Sequence, residues 1–261
     1  MPCFNNAATV ECALASLRCQ TFPIDEFFVL DDCSTDGGAD LLDAAGFRCL
    51  RQQSNKGRGA TRNRAMVEAN AELVVSCDAT NRLPHDFIEN LLPWFDDPRV
   101  AAVYGWIQDP HPKGASGRWR ARHLFKAGHP MGIRHNSPLI TYGTIIRRSA
   151  ALEVGNFNTA LRHTEDAELG ERLLAAGFDI IFDPRVPVFC NVHNTMEEAL
   201  NRYWRWYAGV GEPTSWYGYM KDIVYSAKGM AVYDISQKDL PAALISLLCA
   251  HYKFWKSTFN R

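Results

Sequence analysis

The 261-residue sequence has no C-x-x-C pair, no charge excess of either sign and no low-complexity tract or repeat. Without C-x-x-C spacing, the eight cysteines at 3, 12, 19, 33, 49, 77, 190 and 249 form neither a zinc ribbon nor a thioredoxin-type site. No signal-peptide pattern opens the chain, so they are expected to be reduced, mostly buried thiols of a cytosolic protein. The longest nearly unbroken apolar run, Leu240 to Ala250, is about half of what spans a bilayer. A net charge of −1 gives no basic field to hold nucleic acid non-specifically. What is present, 47% hydrophobic and 22% charged residues, is the composition of a globular chain.

The first half alternates strand and helix patterns. Val10, Ala13, Leu14 and Leu17 line one face of a helix across Asn6 to Gln20. Phe27 to Leu30 is a continuously apolar run, as a strand buried on both faces requires. A helix over Asp36 to Ala45 is closed by Gly46, and Phe47 to Arg51 follows as a strand. Gly57-Arg58-Gly59 turns the chain into a helix reaching Asn70, then Leu73 to Cys77 forms another strand. Pro84 opens a helix to about Trp94, and Val100 to Ile107 reads as a strand. The alternation predicts an α/β protein with a doubly wound, mixed but mostly parallel sheet flanked by helices. Ligands of such sheets sit beyond the carboxyl ends of the strands, where Asp31, Asp32 and Asp78 fall.

The second half predicts a basic helix over Arg118 to Lys126, a strand over Leu139 to Ile146, a helix from Thr164 to Ala176 and a strand over Phe178 to Phe182. From Met196 the chain is helical and aromatic-rich. The division is a domain over residues 1–195 and a C-terminal helical extension over 196–261.

Four clusters carry candidate chemistry. In Asp31-Asp32-Cys33-Ser34-Thr35-Asp36-Gly37, carboxylates can accept from a nucleobase imide or ribose hydroxyls; the bland reading is a capped loop. In Asn55 to Arg64, glycines ahead of a helix suit an anion and Arg62 suits a base or phosphate, although the Walker spacing is absent. Asp78-Ala79-Thr80 has the shape of a D-x-D cation site with Thr80 in place of the second acid, and His193 is the candidate to complete it. His163-Thr164-Glu165-Asp166 opens a helix that Thr164 can cap. The dipole there keeps Asp166 ionised, as a general base must be, while the structural reading is a first-turn stabiliser.

In this order the clusters resemble the inverting glycosyltransferases of family 2, with the GT-A fold. Pro2-Cys3-Phe4-Asn5 is similar to the family's Pro-Cys-Tyr-Asn, and Leu30 to Asp36 to its Val-Asp-Asp-Gly-Ser-Thr-Asp. Asn55 to Asn63, Cys77 to Thr80, Gly155-Asn156-Phe157, Glu165-Asp166 and Gly170 to Leu173 match later motifs, over roughly residues 1–195. The resemblance implies a nucleoside-diphosphate sugar, a UDP-sugar being the first expectation, held by Asp31, Asp32, Arg62 and Asp78. It implies Asp166 as catalytic base, a divalent cation (Mn or Mg) at Asp78 and His193, and a saccharide or lipid-linked acceptor in cell-surface polysaccharide synthesis. The chain begins where the family's first strand should already be ending, so the sheet is expected to lose a central member and the nucleotide pocket part of its wall.

Two other readings stand beside this one. Thr80 fits a degenerate GT-A domain that binds nucleotide or a partner without catalysis. A nucleotidyltransferase would need a Gly-rich basic loop after the first strand, which Pro2 to Asn6 does not supply. The aromatic tail, with Trp204, Trp206, Trp216 and Trp255, either covers the domain or touches the inner face of a membrane peripherally. The basic helix near Arg118 to Lys126 is expected to border the acceptor site.

Overall fold

In the computed structural model, which describes residues 1–207 and 215–259, the chain forms two compact units. One comprises Met1–Gln108 and Met131–Val192, the other Asp109–Pro130 and His193–Arg261. The segment Asp109–Pro130, which the sequence places within residues 1–195, folds with the C-terminal helices.

The first unit opens β1 (Pro2–Cys3), α1 (Ala7–Arg18), β2 (Phe28–Asp31), α2 (Gly38–Ala44), β3 (Arg48–Arg51), α3 (Arg58–Glu68) and β4 (Leu73–Cys77). After β5 (Asn81–Arg82), α4 (Phe87–Leu91) and a 3-10 turn, the long strand β6 (Val100–Gln108) leads to α5 (Gly114–His123) of the second unit. The chain returns through β7 (Gly143–Arg147), α6 (Arg148–Glu153), α7 (Glu165–Ala175) and β8 (Asp179–Cys190). The uninterrupted apolar runs are the buried strands: Val29 and Leu30 in β2, Val100 to Tyr104 in β6 and Ile180 to Phe182 in β8 are out of contact with solvent.

Two sheets result, β1-β2-β3 and β4-β7-β6-β8-β5. Sheets and flanking helices make the α/β architecture expected, but parallel pairing is confined to β1–β2–β3 and β6–β8. After the excursion through α5 the chain re-enters as β7, which inserts antiparallel between β4 and β6. Alternation in sequence could not reveal that reversal. β8 also runs past the Phe182 boundary, through Pro184 and Pro187. The sheet accepts them at an irregularity where pairing jumps from Gly105–Asp183 to Trp106–Pro187.

The strand expected to be missing is present as its last two residues. Pro2 and Cys3 pair with Leu30 and Asp31, and the Met1 nitrogen donates to the Phe28 carbonyl at 2.8 Å. A cavity of about 320 Å³, lined by Phe27, Phe28, Met66, Leu73, Val75 and Phe157 among others, lies beside β2 and β4. All eight thiols are free. Cys3, Cys77, Cys190 and Cys249 are buried, whereas Cys12 and Cys19 are exposed, so burial is less general than expected.

The second unit is helical: α5, α8 (Met196–Tyr207), α9 (Trp216–Val224), a π-helical stretch (Tyr225–Ala231), α10 (Val232–Ser236) and α11 (Leu240–Phe259). Among the described residues no helix is long and apolar enough to cross a membrane.

Candidate active site

Asp31 ends β2, and its Oδ2 accepts from the Ser34 amide at 3.1 Å, as in a loop-capping turn. Its other oxygen is buried without a partner among the described residues. The Asp32 carboxylate is committed to the next loop. Oδ1 accepts from Gln52 Nε2 (2.7 Å) and the Lys56 amide (2.8 Å), and Oδ2 from the Gly57 amide (2.8 Å). Gln52 also donates to Thr61 Oγ1 at 2.9 Å, which ties the start of α3 to β3.

The loop admits only glycine where it meets its neighbour. Gly57 has φ +87, and a Cβ at Gly59 would lie 2.2 Å from the Asn158 carbonyl and 2.5 Å from that of Leu161. This close approach sets the first turn of α3, and with it Arg62, against the segment leading to α7. Arg62 is 3% exposed. Its Nη2 donates to Asp78 Oδ1 at 2.7 Å and its Nη1 to Glu165 Oε1. Burial opposes the charge on Arg62, yet the fields of Asp78, Glu165 and Asp166 more than compensate and hold the guanidinium protonated. Arg62 therefore reaches the site through two carboxylates.

Asp78 follows β4, whose antiparallel partner β7 places Tyr142 beside it; the Asp78 amide donates to the Tyr142 carbonyl at 3.4 Å. One residue earlier, Thr141 donates from its amide (3.4 Å) and hydroxyl (3.3 Å) to Asp166 Oδ2, while Asp166 Oδ1 accepts from the Ala167 amide. These long bonds hold Asp166 lightly, and the residue is only half-buried. Glu165, in contrast, is buried; burial raises its carboxyl, Arg62 opposes the rise and Asp166 adds to it. Asp78, Arg62, Glu165 and Asp166 thus gather at one place from β4, α3 and α7.

Thr164 does not cap α7. It sits at φ 61, a left-handed conformation unfavourable for a β-branched residue, and its hydroxyl turns back to the His163 carbonyl at 2.5 Å. The first-turn acids still lie at the positive end of the helix dipole. Two participants were given no role of their own from the sequence. Glu165 was legible as the partner of Asp166 in the acidic pair, whereas nothing local marks Thr141.

Residues 1–155 match the family described as Glycosyl transferase family 2. The chain belongs to glycosyl transferase family 2. It is 22% identical over 222 residues to a poly-beta-1,6-N-acetyl-D-glucosamine synthase of Staphylococcus epidermidis, covering 80% of this chain and 53% of that protein. The chain therefore spans about half the length of that curated relative. Its fold is similar to the mannosyltransferase PcManGT of Pyrobaculum calidifontis in complex with GDP-Man and Mn2+, with a TM-score of 0.62, 20% identity and coverage of 98% and 71% of the two chains. Residues 1–349 of S. aureus TarS in complex with UDP-GlcNAc give a TM-score of 0.60 at 17% identity, over 98% and 72%. The GT-A fold expected from the motifs is the fold observed.

The family resemblance implies a divalent cation, and the residues present do not fit a resident one. Asp78 already faces the Arg62 guanidinium, Thr80 offers a neutral hydroxyl, and among the described residues no group of three His, Cys, Asp or Glu side chains is placed to hold a metal ion. His193 is exposed at the start of the second unit.

In the basic helix expected to border an acceptor, the arginines are paired within the second unit. Arg118 grips Asp239 at 2.6 and 2.9 Å, the fully buried Arg120 pairs with Asp109 at 2.6 Å, and Arg122 pairs with Asp234 and Asp239. Their guanidiniums serve packing because each has a buried aspartate within reach.

Proposed function

We propose that this chain is the catalytic domain of an inverting glycosyltransferase. It moves a sugar from a nucleoside diphosphate to a hydroxyl of a saccharide or lipid-linked acceptor, in the synthesis of a surface polysaccharide. The observation that carries the reading is Arg62. Its guanidinium is fastened at once to Asp78, at the end of a sheet strand, and to Glu165, the chain neighbour of Asp166. Two motifs far apart in sequence are thereby set around one point, with a lightly held carboxylate beside them.

Asp166 takes the proton of the acceptor hydroxyl. The acceptor oxygen forms a bond to the anomeric carbon on the face opposite the leaving group, and the bond from that carbon to the diphosphate oxygen breaks. The nucleoside diphosphate departs with the electron pair, and the configuration inverts. Asp31 offers its unpartnered oxygen to the base or ribose of the donor, Asp32 positions the Lys56–Gly57 loop, and Asp78, held by Arg62, faces the ribose or diphosphate side. The relative's name, a poly-beta-1,6-N-acetyl-D-glucosamine synthase, supports a polysaccharide acceptor, and the sugar nucleotides named with the two structural neighbours support a donor of that class. A UDP-sugar is our first choice of donor. Free thiols and a nucleotide-sugar donor favour a cytoplasmic setting.

The test is release of nucleoside diphosphate from a panel of sugar nucleotides, with and without manganese, by the wild type and Asp166→Asn. The variant is expected to lose about a thousandfold in turnover while calorimetry finds nucleotide affinity within about twofold of the wild type. Turnover retained by the variant removes Asp166 from the base role. Nucleotide binding without turnover in the wild type would favour a degenerate domain, the reading that Thr80 supports.

A further inference from the structure

We propose that the C-terminal helical hairpin of this chain docks flat on an anionic lipid surface. The first arm is a continuous helix, α9, the π-helical stretch and α10, from Trp216 to Ser236; the second is α11. The arms run antiparallel, fixed by Asp234 to Ser246 (2.6 Å), Asp222 to Lys253 (2.9 Å) and Tyr219 to His251 (2.6 Å).

α11 buries one face, the first arm buries Ser226, Met230, Ala231 and Asp234 beyond α9, and each arm shows solvent an apolar stripe. On α11 the buried residues are Ala242, Ala243, Ile245, Ser246, Cys249 and Ala250, whereas Leu240, Leu244, Leu248, Trp255 and Phe259 recur at helical spacing on the exposed side. On the first arm Trp216 and Tyr217 are 71% and 72% exposed, followed by Met220, Val224, Val232 and Ile235. Two adjacent stripes of this kind exceed the scattered apolar residues of an ordinary surface.

Charge selects the partner. Every aspartate between residues 215 and 259 is withdrawn into an ion pair: Asp222 with Lys253, Asp234 with Arg122, and Asp239 with Arg118. No glutamate occurs in that span. The exposed charges left on the hairpin are Lys221, Lys228 and Lys238. Lys221 and Lys256 lie over the Tyr217 and Trp255 rings, so cations border the aromatic residues. Apolar stripes edged by cations and aromatics match the boundary of an anionic bilayer, where acyl chains receive the former and headgroups the latter. A second copy is a poorer partner, because a two-fold contact would bring lysines together with no acid to meet them. Neither arm is apolar enough to span, so the hairpin lies in the plane of the membrane.

The experiment is flotation of the whole chain with vesicles of phosphatidylcholine alone or mixed with phosphatidylglycerol, at low and high salt. Light scattering without lipid runs in parallel. The protein is expected to float with the anionic vesicles and to lose much of that binding in high salt. Lys221→Glu and Lys228→Glu should each weaken it by about fivefold or more. The triple variant Trp216→Ser, Leu244→Ser, Leu248→Ser should reduce it to background with an unchanged circular dichroism spectrum, since all three side chains are exposed. No flotation on anionic vesicles, or flotation indifferent to these variants, overturns the proposal. A dimer dissolved by the triple variant, with no vesicle binding, also overturns it and assigns the face to self-association. Nucleoside diphosphate release plays no part in the readout, so failure here leaves the glycosyltransferase reading standing.

Discussion

Both units bury arginine against carboxylates, and they differ in stoichiometry. In the first, a single buried guanidinium, Arg62, stands among Asp78, Glu165 and Asp166. In the second, Arg118, Arg120 and Arg122 meet Asp239, Asp109 and Asp234, one cation for each anion. A balanced set satisfies its charges internally and specifies packing. An unbalanced one keeps negative charge that an incoming proton or a polar ligand can relieve, as a site for proton abstraction requires. The contrast teaches that charge balance, more than residue type, separates scaffold from site in this chain.

The largest test of that contrast is Arg62→Met, which leaves the buried Glu165 unpaired and is expected to cost about 3–5 kcal/mol in urea unfolding. A loss well under this would mean that the acids of the site do not depend on Arg62. Asp234→Asn weakens a charge-assisted network of Arg122, His123 and Ser246. It is expected to cost about 2 kcal/mol, again by urea unfolding. Gly59→Ala forces a methyl into the Asn158 and Leu161 carbonyls. A loss of about 2 kcal/mol is expected, together with a drop in turnover as Arg62 shifts.

The smallest effects are in pH dependence, and their signs oppose. Glu165, raised by burial, binds its proton more tightly folded than unfolded, so its contribution to stability fades as pH rises above the ordinary carboxylate range. Asp239, lowered to about 2 chiefly by the hydrogen bonds from Arg118, contributes above its unfolded value of 3.8 and loses that contribution as pH falls towards about 2. Glu165→Gln should therefore lessen the loss of stability above that range, and Asp239→Asn should flatten the acid limb, in melting curves taken across pH. Equal slopes for both variants would erase the distinction between the two units.

Much of the first unit was legible in the sequence. The apolar runs Phe27 to Leu30 and Leu73 to Cys77 coincide closely with β2 and β4, although burial is complete only in part of each: Val29 to Asp31 in β2, Ser76 and Cys77 in β4. The reversal of β7 was not legible, because strand direction depends on where a connection returns. The acids were visible one by one; that Thr141 would hold Asp166, or that Arg62 would be buried rather than presented to a nucleotide, was not. The pairing of Arg118 and Arg122 was hidden for the same reason, as their partner Asp239 lies far along the chain.

The sequence by itself determined the alternation of elements, the acids at the ends of β2 and β4, the acidic first turn of α7 and the glycines that let α3 approach it. These follow from local rules of periodicity, capping and backbone freedom. Only the tertiary structure decided which carboxylates share Arg62, which arginines are neutralised and which face of the hairpin is left apolar. Pairing of charges and burial of faces depend on distances in space, and those are set by the return of the chain rather than by neighbours along it.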